Sequence, residues 1–128
     1  MQIVGLVLVA LAAAIHVYIF ALESLWWTGE RARATFGTSE EDARVTRQLA
    51  FNQGFYNLFL AIAVALGVLL FAFGNQLVGT TLIFTGAGSM VAAGLVLALS
   101  SPAKLRAALV QAAPPALGLL ALGLGIAW

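Results

Sequence analysis

The sequence predicts an all-α fold: a polytopic membrane protein whose single domain, residues 1–128, is an antiparallel bundle of four transmembrane helices. Hydrophobic residues make up 62% of the chain and charged residues only 9%, whereas a soluble domain carries about 25% charged residues. Apolar runs of about 18 residues or more recur along the chain, and such runs are typical of spanning helices. The first predicted partner is therefore the lipid bilayer. A net charge of +1 gives no indication of a nucleic-acid partner.

Charged and turn-forming residues separate four apolar spans, which we place at about residues 2–27, 48–73, 77–99 and 105–128. Most of the charges lie between Glu30 and Arg47 and separate spans one and two. The helix of span two is predicted to begin earlier, near Thr38 or Ser39, because an acidic residue three positions later gives capping-box spacing. An uncharged turn at residues 74–76 separates spans two and three, and Pro102 ends span three.

The basic residues lie in the first and third loops and predict the orientation of the protein. They are Arg31, Arg33, Arg44 and Arg47 in loop one, and Lys104 and Arg106 in loop three. With four spans, these two loops lie on the same side, which the positive-inside rule assigns to the cytoplasm, with both termini outside. Trp26 and Trp27 then lie at the cytoplasmic interface, and Trp128 lies at the outer one.

Span four contains Pro114 and Pro115, which remove two backbone donors from the helix. The carbonyl groups of Val110 and Gln111 lose their helical partners as a result. We therefore expect a kink, and a kink beside Gln111 could widen a cavity in the cytoplasmic half of the bundle.

The predicted functional face begins in span one with His16 and Glu23. His16 is the only histidine of the chain, and Glu23 is the only carboxylate within an apolar span. The two residues are seven apart, so on an α-helix they share a face and lie about 10 Å apart along the axis. Phe20 and Trp27 fall on the same face. Ionisable side chains within a bilayer are costly and usually point into the bundle or a wet cavity.

A second polar cluster lies in span two and consists of Asn52, Gln53, Tyr56 and Asn57. Residues four apart lie on one stripe of a helix, so these side chains occupy two adjacent stripes of one face. Spans one and two are antiparallel, and their depths can be compared at 1.5 Å per residue. The comparison predicts that Glu23 lies beside the first two of these residues and that His16 lies beside the last two.

These residues also resemble a known family, through the motifs His16-x-Tyr18-Ile19-Phe20-x-x-Glu23-x-x-x-Trp27, Phe36-Gly37 and Asn52-Gln53-Gly54-x-Tyr56-Asn57. The chain is similar to the small bacterial membrane proteins grouped as domain of unknown function 1304. The resemblance covers nearly the whole chain, including its length and its four-span layout. It implies the four-span fold and a place in the bacterial inner (plasma) membrane. It implies no reaction, because the family has no established activity.

The first functional hypothesis is that the polar face binds or transports a small lipophilic or cationic solute. The predicted binding residues are His16, Phe20, Glu23, Trp27, Asn52, Gln53, Tyr56 and Asn57. Glu23 would act as charge partner and proton carrier, and the aromatic side chains would form the walls. This plan is similar to that of the small multidrug-resistance transporters in architecture only, since their sequence motifs are absent here.

Two alternatives compete with this hypothesis. In the first, His16 and Glu23 are the acid and base of a membrane enzyme that acts on a lipid-like substrate. In the second, the polar residues only hold helices together or form an interaction surface, which could include a homodimer face built on small residues. No cofactor and no metal are predicted, because one histidine, one carboxylate and neutral amides make a poor zinc site.

Overall fold

Four long helices make up most of the chain in the computed structural model, which describes residues 1–127; Trp128 and its predicted place at the outer interface lie outside the described residues. The elements are α1 (Gln2–Phe20), a π-helical turn (Ala21–Leu25), α2 (Glu30–Phe36), α3 (Glu40–Val45), α4 (Arg47–Ala72), α5 (Gln76–Ser100), a 3-10 turn (Pro102–Lys104) and α6 (Leu105–Ala127). The four-helix, all-α fold is confirmed.

Four helices are long and apolar enough to cross a membrane: Gln2–Leu25, Arg47–Ala72, Gln76–Ser100 and Pro102–Ala127. Their bounds differ from the predicted spans by less than one helical turn. Many large apolar side chains on their outer faces are exposed, such as Val7, Leu66 and Leu99. A soluble monomer rarely exposes so much apolar surface, and a lipid environment accounts for it.

The long helices pack in a ring in the order α1, α4, α5, α6, and α6 closes the ring against α1. Neighbouring long helices are antiparallel: the start of α1 meets the end of α6 at Gly5 and Leu122, and the start of α5 meets the end of α4 at Gly79 and Phe71. Loops one and three therefore share one end, which we call the basic end because it carries Arg31, Arg33, Arg44, Arg47, Lys104 and Arg106. The opposite end, formed by the start of α1, the α4–α5 turn and the end of α6, is called the terminal end.

The helices approach backbone to backbone at the terminal end. A Cβ atom added to Gly5 of α1 would lie 2.5 Å from the backbone nitrogen of Leu122 in α6. A Cβ atom added to Gly79 of α5 would lie 2.5 Å from the backbone nitrogen of Phe71 in α4. Glycine at these positions lets membrane helices approach backbone to backbone. The apolar core, which includes Val9, continues from here toward the middle of the bundle.

The basic end is built differently, from two short helices in loop one. Gly37 ends α2 in the left-handed conformation, at φ 62°. Ser39 then caps α3, because its hydroxyl oxygen accepts a 3.1 Å hydrogen bond from the Asp42 backbone N–H and its hydroxyl group donates to the Asp42 carboxylate at 2.7 Å. The predicted cap is confirmed. The prediction that it starts the helix of span two is wrong, because α3 ends at Val45 and α4 begins after Thr46.

Candidate functional site

The π-helical turn Ala21–Leu25 connects α1 to the basic end and carries Glu23. The backbone N–H of Trp26 donates to the carbonyl oxygen of Ala21 at 3.0 Å, five residues back rather than four. Such a turn adds one residue to the helix, and π turns often occur at functional sites. The extra residue changes the register between His16, in the α-helical part, and Glu23, in the π turn.

Glu23 is buried, with 8% of its surface exposed, and its carboxylate is held by α4. The side-chain amide of Asn57 donates to Glu23 Oε2 at 2.8 Å and also lies 3.2 Å from the carbonyl oxygen of Gln53 in its own helix. One residue along, the hydroxyl group of Ser24 donates to the carbonyl oxygen of Phe51 at 2.8 Å. Two side-chain hydrogen bonds therefore attach the π turn to α4.

Gly54 lies where the π turn and α4 approach each other most closely. A Cβ atom added to Gly54 would overlap the Ser24 hydroxyl oxygen and would lie 3.1 Å from Glu23 Cβ and from the Phe20 carbonyl oxygen. The closest part of the α4 face that meets the π turn is thus formed by the small residues Gly54 and Ala50, and Asn57 on the same face reaches Glu23. This packing determines the depth at which Glu23 meets α4.

His16 is buried, with 2% of its surface exposed. Its Nδ1 atom lies 2.9 Å from the carbonyl oxygen of Ala12. A carbonyl oxygen only accepts, so Nδ1 carries the proton and donates to α1 itself. The Asn57 side-chain amide bonds to Glu23, and the His16 ring bonds to Ala12. The pairing is displaced by about one turn from the one that the sequence predicted.

Glu23 lines a cleft of about 440 Å³ at the basic end, which we call the Glu23 cleft. The residues that line it come from the π turn, loop one, the start of α4 and the 3-10 turn. They are Glu23, Trp27, Gly37, Thr38, Asp42, Thr46, Leu49, Ala50, Gln53 and Lys104. When ionised, its carboxylates carry two negative charges against the one positive charge of Lys104. The cleft is therefore acidic.

Trp27 forms an aromatic wall of this cleft, and its position is fixed. Its indole N–H donates to the hydroxyl oxygen of Thr46 at 3.1 Å. Its ring packs against the ring of Phe36, with ring centroids 5.3 Å apart. The neighbouring Trp26 is 54% exposed, as expected for a residue of an aromatic belt.

The structure brings together only part of the predicted site. Glu23, Trp27 and Gln53 line the Glu23 cleft, and Asn57 contacts it through Glu23. The other four predicted residues lie elsewhere. His16 is buried away from the lining of the cleft, and Phe20 packs edge-on against Phe55, with ring centroids 5.1 Å apart. Asn52 is exposed and Tyr56 is 70% exposed, so the predicted aromatic wall at Tyr56 is absent from this cleft.

The sequence did not predict four polar residues as part of the site: Thr38, Asp42, Thr46 and Lys104. Asp42 had been assigned only to the Ser39 cap. The placing of loops one and three at the same end could have indicated Lys104, since it brings this lysine near the acidic residues of loop one. Within residues 1–127, no group of three or more histidine, aspartate or glutamate residues is arranged to hold a metal ion.

Comparison with known proteins gives one match. The model of a family described as Protein of unknown function (DUF1304) matches residues 10–123 of the chain. No curated protein and no solved structure matches the chain.

Proposed function

Since the chain belongs to the family Protein of unknown function (DUF1304), which supplies no activity, we propose its function from geometry: the Glu23 cleft binds a small lipophilic or cationic solute. The observation that carries this proposal is the position of Glu23. This carboxylate is buried within a membrane span, yet it lines a cleft beside a fixed tryptophan ring. An ionisable side chain within a membrane is a functional-site hypothesis by default.

The cleft has the properties that a small cation requires. Its volume of about 440 Å³ lies within the range of small-molecule sites, roughly 300–1,000 Å³. Two carboxylates supply negative charge, and interactions with a buried charge are stronger than in water. The face of Trp27 attracts a cation through its ring quadrupole. Leu49 and Ala50 provide an apolar surface for the rest of the solute.

Lys104 has a defined role in this proposal. Lys104 lines the same cleft and carries a positive charge, as a cationic solute does. Its amine therefore competes with the solute for the negative charge of the carboxylates. Its positive charge offsets part of the attraction between the carboxylates and a bound cation. This competition limits the affinity and provides a direct test of the sign of the ligand's charge.

The geometry supports binding more than transport. Transport requires access from both sides of the membrane, and the helices at the terminal end are in backbone contact at Gly5–Leu122 and at Gly79–Phe71. The Glu23 cleft lies at the basic end alone. The acid–base alternative has less support, because His16 donates to its own helix and does not line the cleft with Glu23.

The decisive experiment is Glu23→Gln, with tetraphenylphosphonium as the probe and binding measured in detergent by isothermal titration calorimetry. Gln keeps an acceptor for the Asn57 amide but loses the charge. We expect the affinity to fall by roughly tenfold to a hundredfold, since a hydrogen bond or ion contact to a charged group contributes about 1.5–3 kcal/mol. The melting temperature should stay close to that of the wild type.

Matched controls use residues of the same type outside the cleft. Glu41→Gln removes a carboxylate from an exposed position at the same end and should leave the affinity unchanged. Trp26→Leu should also leave the affinity unchanged, whereas Trp27→Leu should weaken binding. If the wild type does not bind the probe, or if Glu23→Gln binds it fully, the proposal is wrong. If Glu23→Gln unfolds the protein, Glu23 is a structural hydrogen-bonding residue.

A further inference from the structure

A second, larger cleft of about 850 Å³ lies between α1 and α6, and we call it the α1–α6 slot. One wall is a stripe of side chains three and four residues apart on α1 and the π turn: Ile15, Tyr18, Ile19 and Leu22. Ala107 and Val110 lie on the α6 wall, and residues of α2 close the slot at the basic end. None of these residues lines the Glu23 cleft, so the two clefts are distinct.

The slot opens sideways toward the lipid. Tyr18 and Val110 line it and are 44% and 54% exposed on the apolar outer surface of the bundle. Leu22 lies seven positions after Ile15, which gives the slot a length of about 10 Å along the helix, at 1.5 Å per residue. An apolar slot of this length that opens within the membrane suits part of an acyl chain.

The slot results from the way α1 and α6 pack. The two helices are in backbone contact at the terminal end, at Gly5 and Leu122, and they leave the slot at the basic end. Pro114 and Pro115 lie between these two regions of α6. The fold therefore separates the helices where the slot lies.

Two arginines give the slot a charged mouth. Arg31 from α2 and Arg106 from α6 line its basic end, and Glu30 is the one carboxylate in its lining, so the mouth is positive overall. Guanidinium groups bind phosphate oxygens in bidentate geometry. The apolar walls match an acyl chain, and the positive mouth matches the phosphate group of an anionic lipid.

We propose that the α1–α6 slot binds one anionic phospholipid from the surrounding leaflet, with an acyl chain between α1 and α6 and the phosphate at Arg31 and Arg106. The side opening makes the membrane the source of the ligand, rather than phosphate in solution. This lipid site does not depend on Glu23 and goes beyond the solute site of the Glu23 cleft. Under the predicted orientation, it draws its lipid from the cytoplasmic leaflet, where anionic lipids are enriched.

The test measures lipid binding to the detergent-purified protein by native mass spectrometry, with phosphatidylglycerol and phosphatidylcholine as probes. The wild type should bind phosphatidylglycerol more tightly than phosphatidylcholine. The double variant Arg31→Gln/Arg106→Gln should lose roughly thirtyfold in phosphatidylglycerol affinity, about fivefold per basic residue. The matched control Arg44→Gln/Arg47→Gln removes the same charge from exposed positions at the same end and should bind as the wild type does.

A second pair of variants tests the acyl-chain part. Ala107→Trp fills the slot and should abolish phosphatidylglycerol binding, whereas Leu109→Trp, on the exposed side of α6, should not. Inorganic phosphate should not displace the lipid. Equal binding of the two lipids, equal losses in the two arginine pairs, or full binding by a folded Ala107→Trp variant would each refute the proposal. If Ala107→Trp does not fold, the comparison of the two arginine double variants decides the outcome, because all four arginines are exposed and their substitution should leave the fold intact.

Discussion

Asn57 donates a 2.8 Å hydrogen bond to the carboxylate of Glu23 and joins the middle of α4 to the π turn. The same amide group is 3.2 Å from the carbonyl oxygen of Gln53, which fixes its orientation within its own helix. The position of Glu23 at the cleft wall is therefore determined by α4. The His16 ring hydrogen-bonds to Ala12 within α1 and does not position Glu23.

The hydrogen bond between Asn57 and Glu23 predicts that substitutions of Asn57 and Asn52 differ in their effect on stability. Asn57→Leu leaves a buried carboxylate without its donor and should destabilise the protein by about 1–2 kcal/mol. Asn52→Leu changes an exposed residue and should alter the stability by less than about 0.5 kcal/mol. Thermal unfolding in detergent measures both. Equal effects would show that the Asn57–Glu23 contact contributes nothing to stability.

The close contact at Gly54 predicts that alanine at this position destabilises the protein, whereas alanine at Gly88 does not. Gly54→Ala places a methyl group against Ser24 and Glu23 and should cost about 1–3 kcal/mol, as overpacking does. Gly88→Ala meets nothing within 4 Å and should be neutral or stabilising by up to about 1 kcal/mol, through helix propensity. The melting temperatures of the two variants provide the comparison. A Gly54→Ala variant as stable as the wild type would contradict the observed approach of α4 to the π turn.

Lys104 tests the charge of the solute in the Glu23 cleft. Lys104→Met removes the competing amine and should raise the affinity for tetraphenylphosphonium by roughly fivefold, equivalent to about 1 kcal/mol. Arg106→Gln, which changes a basic residue of the other cleft, should leave this affinity unchanged. Titration calorimetry measures both. Weaker binding by Lys104→Met would indicate that the cleft prefers an anion.

The orientation of the bundle is a prediction from charge that labelling can test. The chain has no cysteine, so single variants Glu41→Cys and Gln76→Cys report on the two ends without background. A membrane-impermeant maleimide added to whole cells should label position 76 and leave position 41 unlabelled until the cells are broken. The reverse pattern would place the basic end outside.

The fold could be predicted because it depends on patterns that are strong in the sequence. Long apolar runs and clustered charges determine the spans, and successive spans of a membrane protein alternate in direction. Ser39 and Asp42 also predicted a helix cap correctly, since that contact is local. What the sequence did not show is the break at Thr46. Its hydroxyl group donates to the Asp42 carbonyl oxygen at 2.6 Å, close to the point where the helix is interrupted.

The site was predicted only in part, for two physical reasons. The depth comparison assumed a regular α-helix from His16 to Glu23, whereas the π turn at Ala21–Leu25 shifts the register between them. It also assumed that both polar stripes of span two face span one. In fact only the stripe of Gln53 and Asn57 reaches Glu23, beside Gly54, and Tyr56 is turned outward.

Glycine by itself was only a partial guide to helix packing. A Cβ atom added to Gly94 of α5 would lie 2.6 Å from Ala112 Cβ in α6, whereas one added to Gly88 of the same helix would meet nothing within 4 Å. Glycine occurs throughout these helices, so its presence alone does not distinguish a packed position from one that faces lipid.

The unequal packing of the two ends has a consequence for local stability. Backbone contacts at Gly5 and Gly79 leave the terminal end without room to separate its helices, whereas the basic end holds two clefts and short, partly exposed helices. Amide hydrogen exchange should therefore be slowest near Gly5 and Gly79 and should quicken toward α2 and α3. We therefore expect the terminal half to keep the four helices together during local opening of the basic half.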